Sequence, residues 1–183
     1  MVAAVRDHPD QYLQGAVHNT LGVVYQDSPA GDRRDNLARA VAAYQDALRP
    51  HTPAVAPLSY AVAPHNPGTA YADLSRIEDR MGNLGRAIAT YQGALRHRIP
   101  EQAPLAYAAT QNAPGLAYRA LAGVDDQLAN LRRAIEVHQD ALRYYTPHRD
   151  PLNYARAQAN LGLARGDLRD QDQALVCWRE AMQ

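Results

Sequence analysis

A period of 47 residues runs through the chain and limits what it can fold into. The segment PLSYA at 57–61 returns as PLAYA at 104–108 and as PLNYA at 151–155. Single residue types also recur at the same spacing of 47 residues: Tyr60, Tyr107 and Tyr154; Gly68, Gly115 and Gly162. In the first repeat, Gly22 is displaced from this register by one residue. Repetition at this spacing predicts a stack of similar units that bury their apolar faces against one another.

Each repeat has the pattern of two helices. In the second helix of the first repeat, Leu37, Val41, Tyr44 and Leu48 recur at i, i+4, i+7 and i+11, which places them on one face. The later repeats carry the same face: Leu84, Ile88, Tyr91 and Leu95; Leu131, Ile135, His138 and Leu142. Alanines flank the aromatic column and allow an antiparallel partner helix to approach closely. We interpret His138 as a packed, hydrogen-bonded core residue in a tyrosine column.

Turn and cap signals predict where the helices begin and end. The first helix is expected over Gln11–Asp27, and Asp32 is expected to cap a second helix over Asp32–Arg49. In the second repeat, Ser75 followed by Glu78 has capping-box spacing and predicts a helix start there. In the third repeat, either Asp125 or Asp126 is the expected cap.

Three prolines interrupt the helical pattern. Pro64, Pro67 and Pro114 lie within the predicted first helices of the second and third repeats. An interior proline lacks the N–H donor and clashes with the preceding turn. Either these helices are bent or broken there, or the sequence is imperfect at these positions.

The fourth repeat carries a recognisable spacing. Leu161 and Gly162, followed by Ala174, Trp178 and Ala181, resemble the tetratricopeptide repeat family. The earlier repeats keep these columns with about two extra helical turns, as in long bacterial repeats of this kind. The resemblance implies an all-α fold, an α-solenoid of four antiparallel helix pairs in a right-handed superhelix. We expect one domain over 1–183, divided near 11–56, 57–103, 104–150 and 151–183.

Composition narrows the possible functions. The 19 basic and 19 acidic residues balance, so no overall charge attracts nucleic acid or an anionic membrane. No stretch has the length and apolarity of a membrane span or a secretory signal, and a cytoplasmic protein is expected. The single cysteine, Cys177, forms no internal disulfide. No phosphate loop, nucleophile motif or paired-histidine metal spacing occurs, so we expect no catalysis, cofactor or metal.

The resemblance also implies where a partner binds. Members of this family bind extended peptides or partner helices in a concave groove lined by the first helix of each pair. Column by column, the groove candidates are Asn19, Gln26, His65, Asp73, Asn112, Arg119 and Arg156. Because the chain has no lysine, a lysine clamp for a terminal carboxylate is not expected.

An aligned column of asparagines allows two interpretations. Asn36, Asn83 and Asn130 each precede the first leucine of a second helix. One is that each caps a helix start or a local bend, which we favour. The other is a role between molecules or repeats: either a side-chain ladder between stacked repeats or recognition of a partner's backbone.

Two functions fit these features. The first is an adaptor that binds a peptide or partner helix in the groove. The alternative is self-assembly by end-to-end stacking into a filament or tube, with Leu175, Trp178 and Met182 of the last repeat meeting the first repeat around Leu21. A third interpretation is that the chain is a piece of a longer array within a signalling protein.

Overall fold

The structure is a computed structural model, and it describes residues 9–48, 65–96, 100–168 and 179–182, with side chains from 13 and from 67 onward in the first two ranges. The chain divides into two compact units, 1–97 and 98–183. Each unit is described separately below.

Two helix pairs form the first unit. Helices α1 (Pro9–Asp27) and α2 (Arg33–Leu48) make the first pair, and α3 (His65–Leu74) and α4 (Arg80–Leu95) make the second. Each helix packs on its pair partner, and α2 also packs on α3. Ala70 of α3 lies in one buried cluster with Ala40, Val41 and Tyr44 of α2, so the second helix of one repeat covers the first helix of the next.

The second unit repeats this arrangement. Helix α5 (Pro104–Leu121) pairs with α6 (Gln127–Leu142), and α6 also packs on α7 (Pro151–Asp167). A further helical turn lies at 179–181. No strand occurs among the described residues. The predicted fold class, all-α with the stacked helix pairs of an α-solenoid, is confirmed.

A glycine-to-ring contact joins the two helices of each pair. A Cβ atom added at Gly22 would lie 2.4 Å from the Tyr44 ring, and one added at Gly68 would lie 2.5 Å from the Tyr91 ring. At Gly115 the nearest atom would be in the His138 ring, again at 2.4 Å. The one-residue displacement of Gly22 therefore leaves the contact intact. Because any larger side chain would collide with the ring, glycine sets how closely the helices pack.

The second helices begin at aspartates. The carboxylates of Asp32, Asp79 and Asp126 accept hydrogen bonds from the backbone N–H groups of Asp35, Gly82 and Ala129, at 3.0 to 3.1 Å. Each bond satisfies a donor that the helix itself leaves unpaired. Of the two candidates in the third repeat, Asp126 is the cap.

The capping box predicted at Ser75 and Glu78 is wrong. Helix α4 begins at Arg80, and Ser75 instead donates to the carbonyl of Ala72 at 2.6 Å. The N–H groups of Ile77 and Glu78 donate to the Leu74 carbonyl, so these residues close the turn after α3. Asp79 then adopts a left-handed conformation with φ 39°, which redirects the chain into α4.

Two of the aligned asparagines, Asn36 and Asn83, form hydrogen bonds across these turns. Asn36 donates to the carbonyl of Ala30 at 2.6 Å, and Asn83 donates to the carbonyl of Glu78 at 2.9 Å. Both side chains are buried within the first turn of their helix. The favoured interpretation, a local bend, is confirmed for these two residues.

Prolines break neither described helix. Pro67 is the third residue of α3, within the first turn, where a missing N–H costs no helical bond. Pro114 lies inside α5, which continues to Leu121, so of the two predicted alternatives the helix is not broken there. A bend at Pro114 stays a prediction. The hydroxyl of Thr110, four residues before Pro114, donates to the Ala106 carbonyl at 3.1 Å. Pro64 lies outside the described residues.

The glycine contact predicts opposite effects for alanine at different glycines. Gly68→Ala should destabilise the protein by about 1 to 3 kcal/mol, because its methyl group would collide with Tyr91. Gly85→Ala and Gly93→Ala are the controls in α4, where a Cβ meets nothing within 4 Å. These two should stabilise it by about 0.5 to 1 kcal/mol through helix propensity. Urea unfolding of the three variants measures both effects, and equal effects would contradict the packing account.

Neighbouring aspartates give a second matched comparison. Asp126→Ala should cost about 1 kcal/mol, because it leaves the Ala129 N–H without its cap. Asp125→Ala changes the same charge but removes no cap, and it should alter the free energy of unfolding by less than about 0.5 kcal/mol. Thermal unfolding followed by circular dichroism measures the difference, and similar losses would show that general charge near the helix start is what matters.

Candidate binding surfaces

Two predicted groove residues of the first unit bind each other. The side-chain amide of Gln26 in α1 donates to the carboxylate of Asp73 in α3 at 3.1 Å, across one repeat. The hydroxyl of Tyr44 donates to Oε1 of the Gln26 side-chain amide at 2.9 Å. Arg33 and Arg76 lie 3.9 and 3.4 Å from Asp73. Gln26 and Asp73 are half-buried and the two arginines are exposed, and the cluster connects the first helices of two successive repeats.

The second unit has an equivalent pair. Arg119 in α5 donates to the carboxylate of Asp167 in α7 at 2.7 Å. Gln26 and Arg119 both lie four residues after the helix-packing glycine, and Asp73 and Asp167 both lie five residues after theirs. A polar contact between the side chains at these two positions therefore joins neighbouring first helices in both units. The sequence columns alone hide this equivalence, because the first repeat is displaced by one residue.

Asn112 is directed into the core. Its side-chain oxygen lies 2.7 Å from Nδ1 of His138, whose ring is fully buried. Because that oxygen can only accept, Nδ1 carries the proton, and Nε2 is left buried without a hydrogen-bond partner. Burial lowers the pKa of His138 to about 4, and the charge of Arg119 acts in the same direction. The expected packed, hydrogen-bonded histidine is confirmed.

The other groove candidates lie in different settings. Asn19 is half-buried and interacts within the chain. His65 is the first residue of α3, and its side chain lies outside the described part. Arg156, on α7, is exposed.

An exposed leucine face lies on the first helices of the second unit. Leu105 and Leu116 are 11 residues apart on α5, and Leu152 and Leu163 hold the same two positions on α7. Eleven residues are close to three helical turns, so each pair lies on one side of its helix. Arg156 lies on the same side of α7, one turn after Leu152. We call these four leucines and Arg156 the leucine face.

A second exposed apolar surface lies on α1. Leu13, Val17, Leu21 and Val24 recur at i, i+4, i+8 and i+11 and are between 38% and 64% exposed. We call these four residues the α1 stripe. It includes Leu21, the predicted assembly residue of the first repeat. Met182, predicted at the other end, is 82% exposed, whereas Leu175 and Trp178 lie outside the described residues.

Among the described residues there is neither a cluster of metal ligands nor a helix that could span a membrane. No three His, Cys, Asp or Glu side chains among them converge as a metal site requires. None of the helices in the described ranges has the length and apolarity needed to cross a membrane.

These features define a class, the helix-pair repeat proteins, in which stacked repeats build an extended surface from successive helices. No family model matches the chain, and no curated protein matches it. Among solved structures, a crystal structure of MamA is similar, with a TM-score of 0.59 and 19% identity over 97% of this chain and 80% of that one. A second MamA structure has 16% identity, covers 92% and 90% of the two chains, and has a TM-score of 0.39, too low to support an argument. The likeness shows the fold, and tetratricopeptide family membership stays a prediction.

His138 predicts a loss of stability in mild acid. In the unfolded chain its pKa is near the ordinary 6.5, whereas in the folded protein it is about 4. The unfolded state thus binds the proton first, and stability falls as pH drops from about 6.5 towards 4. Between about pH 7 and pH 5 the expected loss from this residue is about 2 kcal/mol.

A tyrosine provides the control for this prediction, because Tyr44 and Tyr91 occupy the equivalent positions. Urea unfolding of wild type and His138→Tyr at both pH values isolates the histidine from the carboxylates. An equally steep pH dependence in the variant would contradict the assignment.

Proposed function

We propose that this protein is a non-catalytic interaction scaffold that binds a peptide or a partner helix along its first helices. The observation that carries the proposal is the leucine face, which repeats two exposed apolar positions on α5 and α7. Apolar side chains repeated on adjacent helices can anchor successive side chains of one extended or helical ligand.

Charge on this face supports selectivity. Arg156 is exposed between Leu152 and Leu163 along α7. Its guanidinium carries five donors, so it can bind a carboxylate or backbone carbonyls of a ligand whose apolar residues contact the leucines. A partner with apolar residues about one helical turn or more apart, and an acidic residue among them, fits this arrangement.

The polar pairs have a supporting role in the proposal. Gln26 with Asp73, and Arg119 with Asp167, engage each other across repeats. Such contacts hold neighbouring first helices in register, so that a ligand meets a preformed surface and loses less free energy to ordering. Asn19, His65 and Arg156 stay candidates for direct contact.

Substitution of the leucine face tests the proposal. A phage-displayed library of random 16-residue peptides selected on the wild-type protein supplies ligands, and fluorescence anisotropy measures their dissociation constants. Leu116→Glu together with Leu163→Glu should weaken binding at least about 100-fold, because two apolar anchors are lost and charges are buried in their place.

Leu128→Glu is the matched control. Leu128 is 51% exposed in the same unit, at the start of α6 and away from the leucine face. This variant should bind the selected peptides as wild type does. A selection without ligands, or ligands lost only with Leu128→Glu, would contradict the proposed surface.

A further inference from the structure

Three of the four positions of the α1 stripe, those of Val17, Leu21 and Val24, are buried in every later repeat in which the structure describes them. Counted from the helix-packing glycine, Val24 is equivalent to Ala70, Ala117 and Ala164, and Leu21 to Pro67, Pro114 and Leu161. Val17 is equivalent to Thr110 and Ala157. All of these equivalents are 3% exposed or less. The stripe is therefore the stacking face of the repeat, and in α1 that face is exposed.

Inside the chain, a second helix covers this face. Ala70 lies in a cluster with Val41 and Tyr44 of α2, the second helix of the preceding repeat. In the second unit, Ala157 lies in a cluster with Ala141 at the end of α6, and Leu142 packs against it. The structure thus identifies what fits the stacking face: the apolar side of a second helix.

Met182 has the position that Leu142 occupies in the internal contact. Ala141 and Leu142 end the second helix of the third repeat, and Ala181 and Met182 align with them in the fourth. Leu142 is half-buried against the next repeat, whereas Met182 is 82% exposed. Met182 therefore exposes a side chain of the covering type, and α1 exposes the face that such side chains cover.

We infer that the α1 stripe of one copy binds Met182 and the helical turn at 179–181 of a second copy, in the register that joins repeats within the chain. By that register, Met182 packs on the α1 stripe of the next copy near Val17, as Leu142 packs against the cluster that contains Ala157. The surfaces are different on the two copies, so the contact is heterologous and produces chains or rings instead of a closed two-fold dimer. This surface is separate from the leucine face.

The test begins with mass against concentration. Sedimentation velocity of the full chain, from low micromolar to millimolar, should show species heavier than 20.1 kDa that increase with concentration. Val17→Glu should lower the association constant at least about tenfold, because it places a charge in an apolar contact. Val23→Glu is the control, since Val23 is 40% exposed on the same helix but outside the stripe. It should associate as wild type does.

Mixing two variants tests the head-to-tail geometry. Met182→Glu blocks one surface and Val17→Glu the other, so each variant alone should be largely monomeric. A 1:1 mixture restores one intact contact and should give a heterodimer that does not grow further. Circular dichroism and thermal unfolding of each variant verify that a lost association is not a lost fold.

Three outcomes would overturn the inference. The first is a wild-type mass that stays at 20.1 kDa at every concentration, as expected if another segment of the same chain covers the stripe. The second is association that Met182→Glu leaves unchanged, which indicates stripe-to-stripe pairing. The third is an equal loss with Val23→Glu, which places the contact on another face of α1.

Discussion

The contact between a glycine and a ring is the constraint on which each helix pair depends. At Gly22, Gly68 and Gly115 the backbone of the first helix lies directly against the ring of the second, with no room for a Cβ atom. Fully buried alanines occupy the second helix one turn before these rings, and they keep the same close approach along the pair. When the two helices of a pair pack this closely, the pair has two outer sides. One side becomes the stacking face and the other remains available to solvent.

His138 shows what this position demands when its residue changes. A tyrosine fills the space with an apolar ring and can place its hydroxyl at the edge, as Tyr44 does toward Gln26. An imidazole in the same place carries two nitrogens into the core, and only Nδ1 has a partner there. The packing requirement is met, while the electrostatic cost appears as a lowered pKa. The shape of the ring therefore matters more than its polarity at this position. The side-chain oxygen of Asn112 supplies an acceptor for Nδ1 of the buried imidazole.

Helix pairs could be predicted from the sequence because small and apolar columns recur at a fixed spacing. The wrong start at Ser75 came from local spacing alone, since a left-handed residue at Asp79 delays the helix by one turn. The candidate surfaces were less predictable. A column shows which residues face the same way, but it does not show that Gln26 contacts Asp73 or that Arg119 contacts Asp167. Those pairs depend on the distance between first helices, which packing sets. The exposure of Val17 and Val24 could not be predicted either. The sequence pattern of an apolar helical stripe is the same whether or not another helix covers it.

The size of the residues on the α1 stripe determines how strong an end contact can be. Inside the chain the stacking face is built from Ala70 and Ala157, which let a second helix approach closely, whereas α1 carries Val24 and Val17 there. A copy docking on α1 therefore lies farther out than an internal repeat does. A contact at this larger separation buries less apolar surface than the stacking of repeats within one chain. Because association also costs translational and rotational freedom, the expected contact is weak, reversible and dependent on protein concentration.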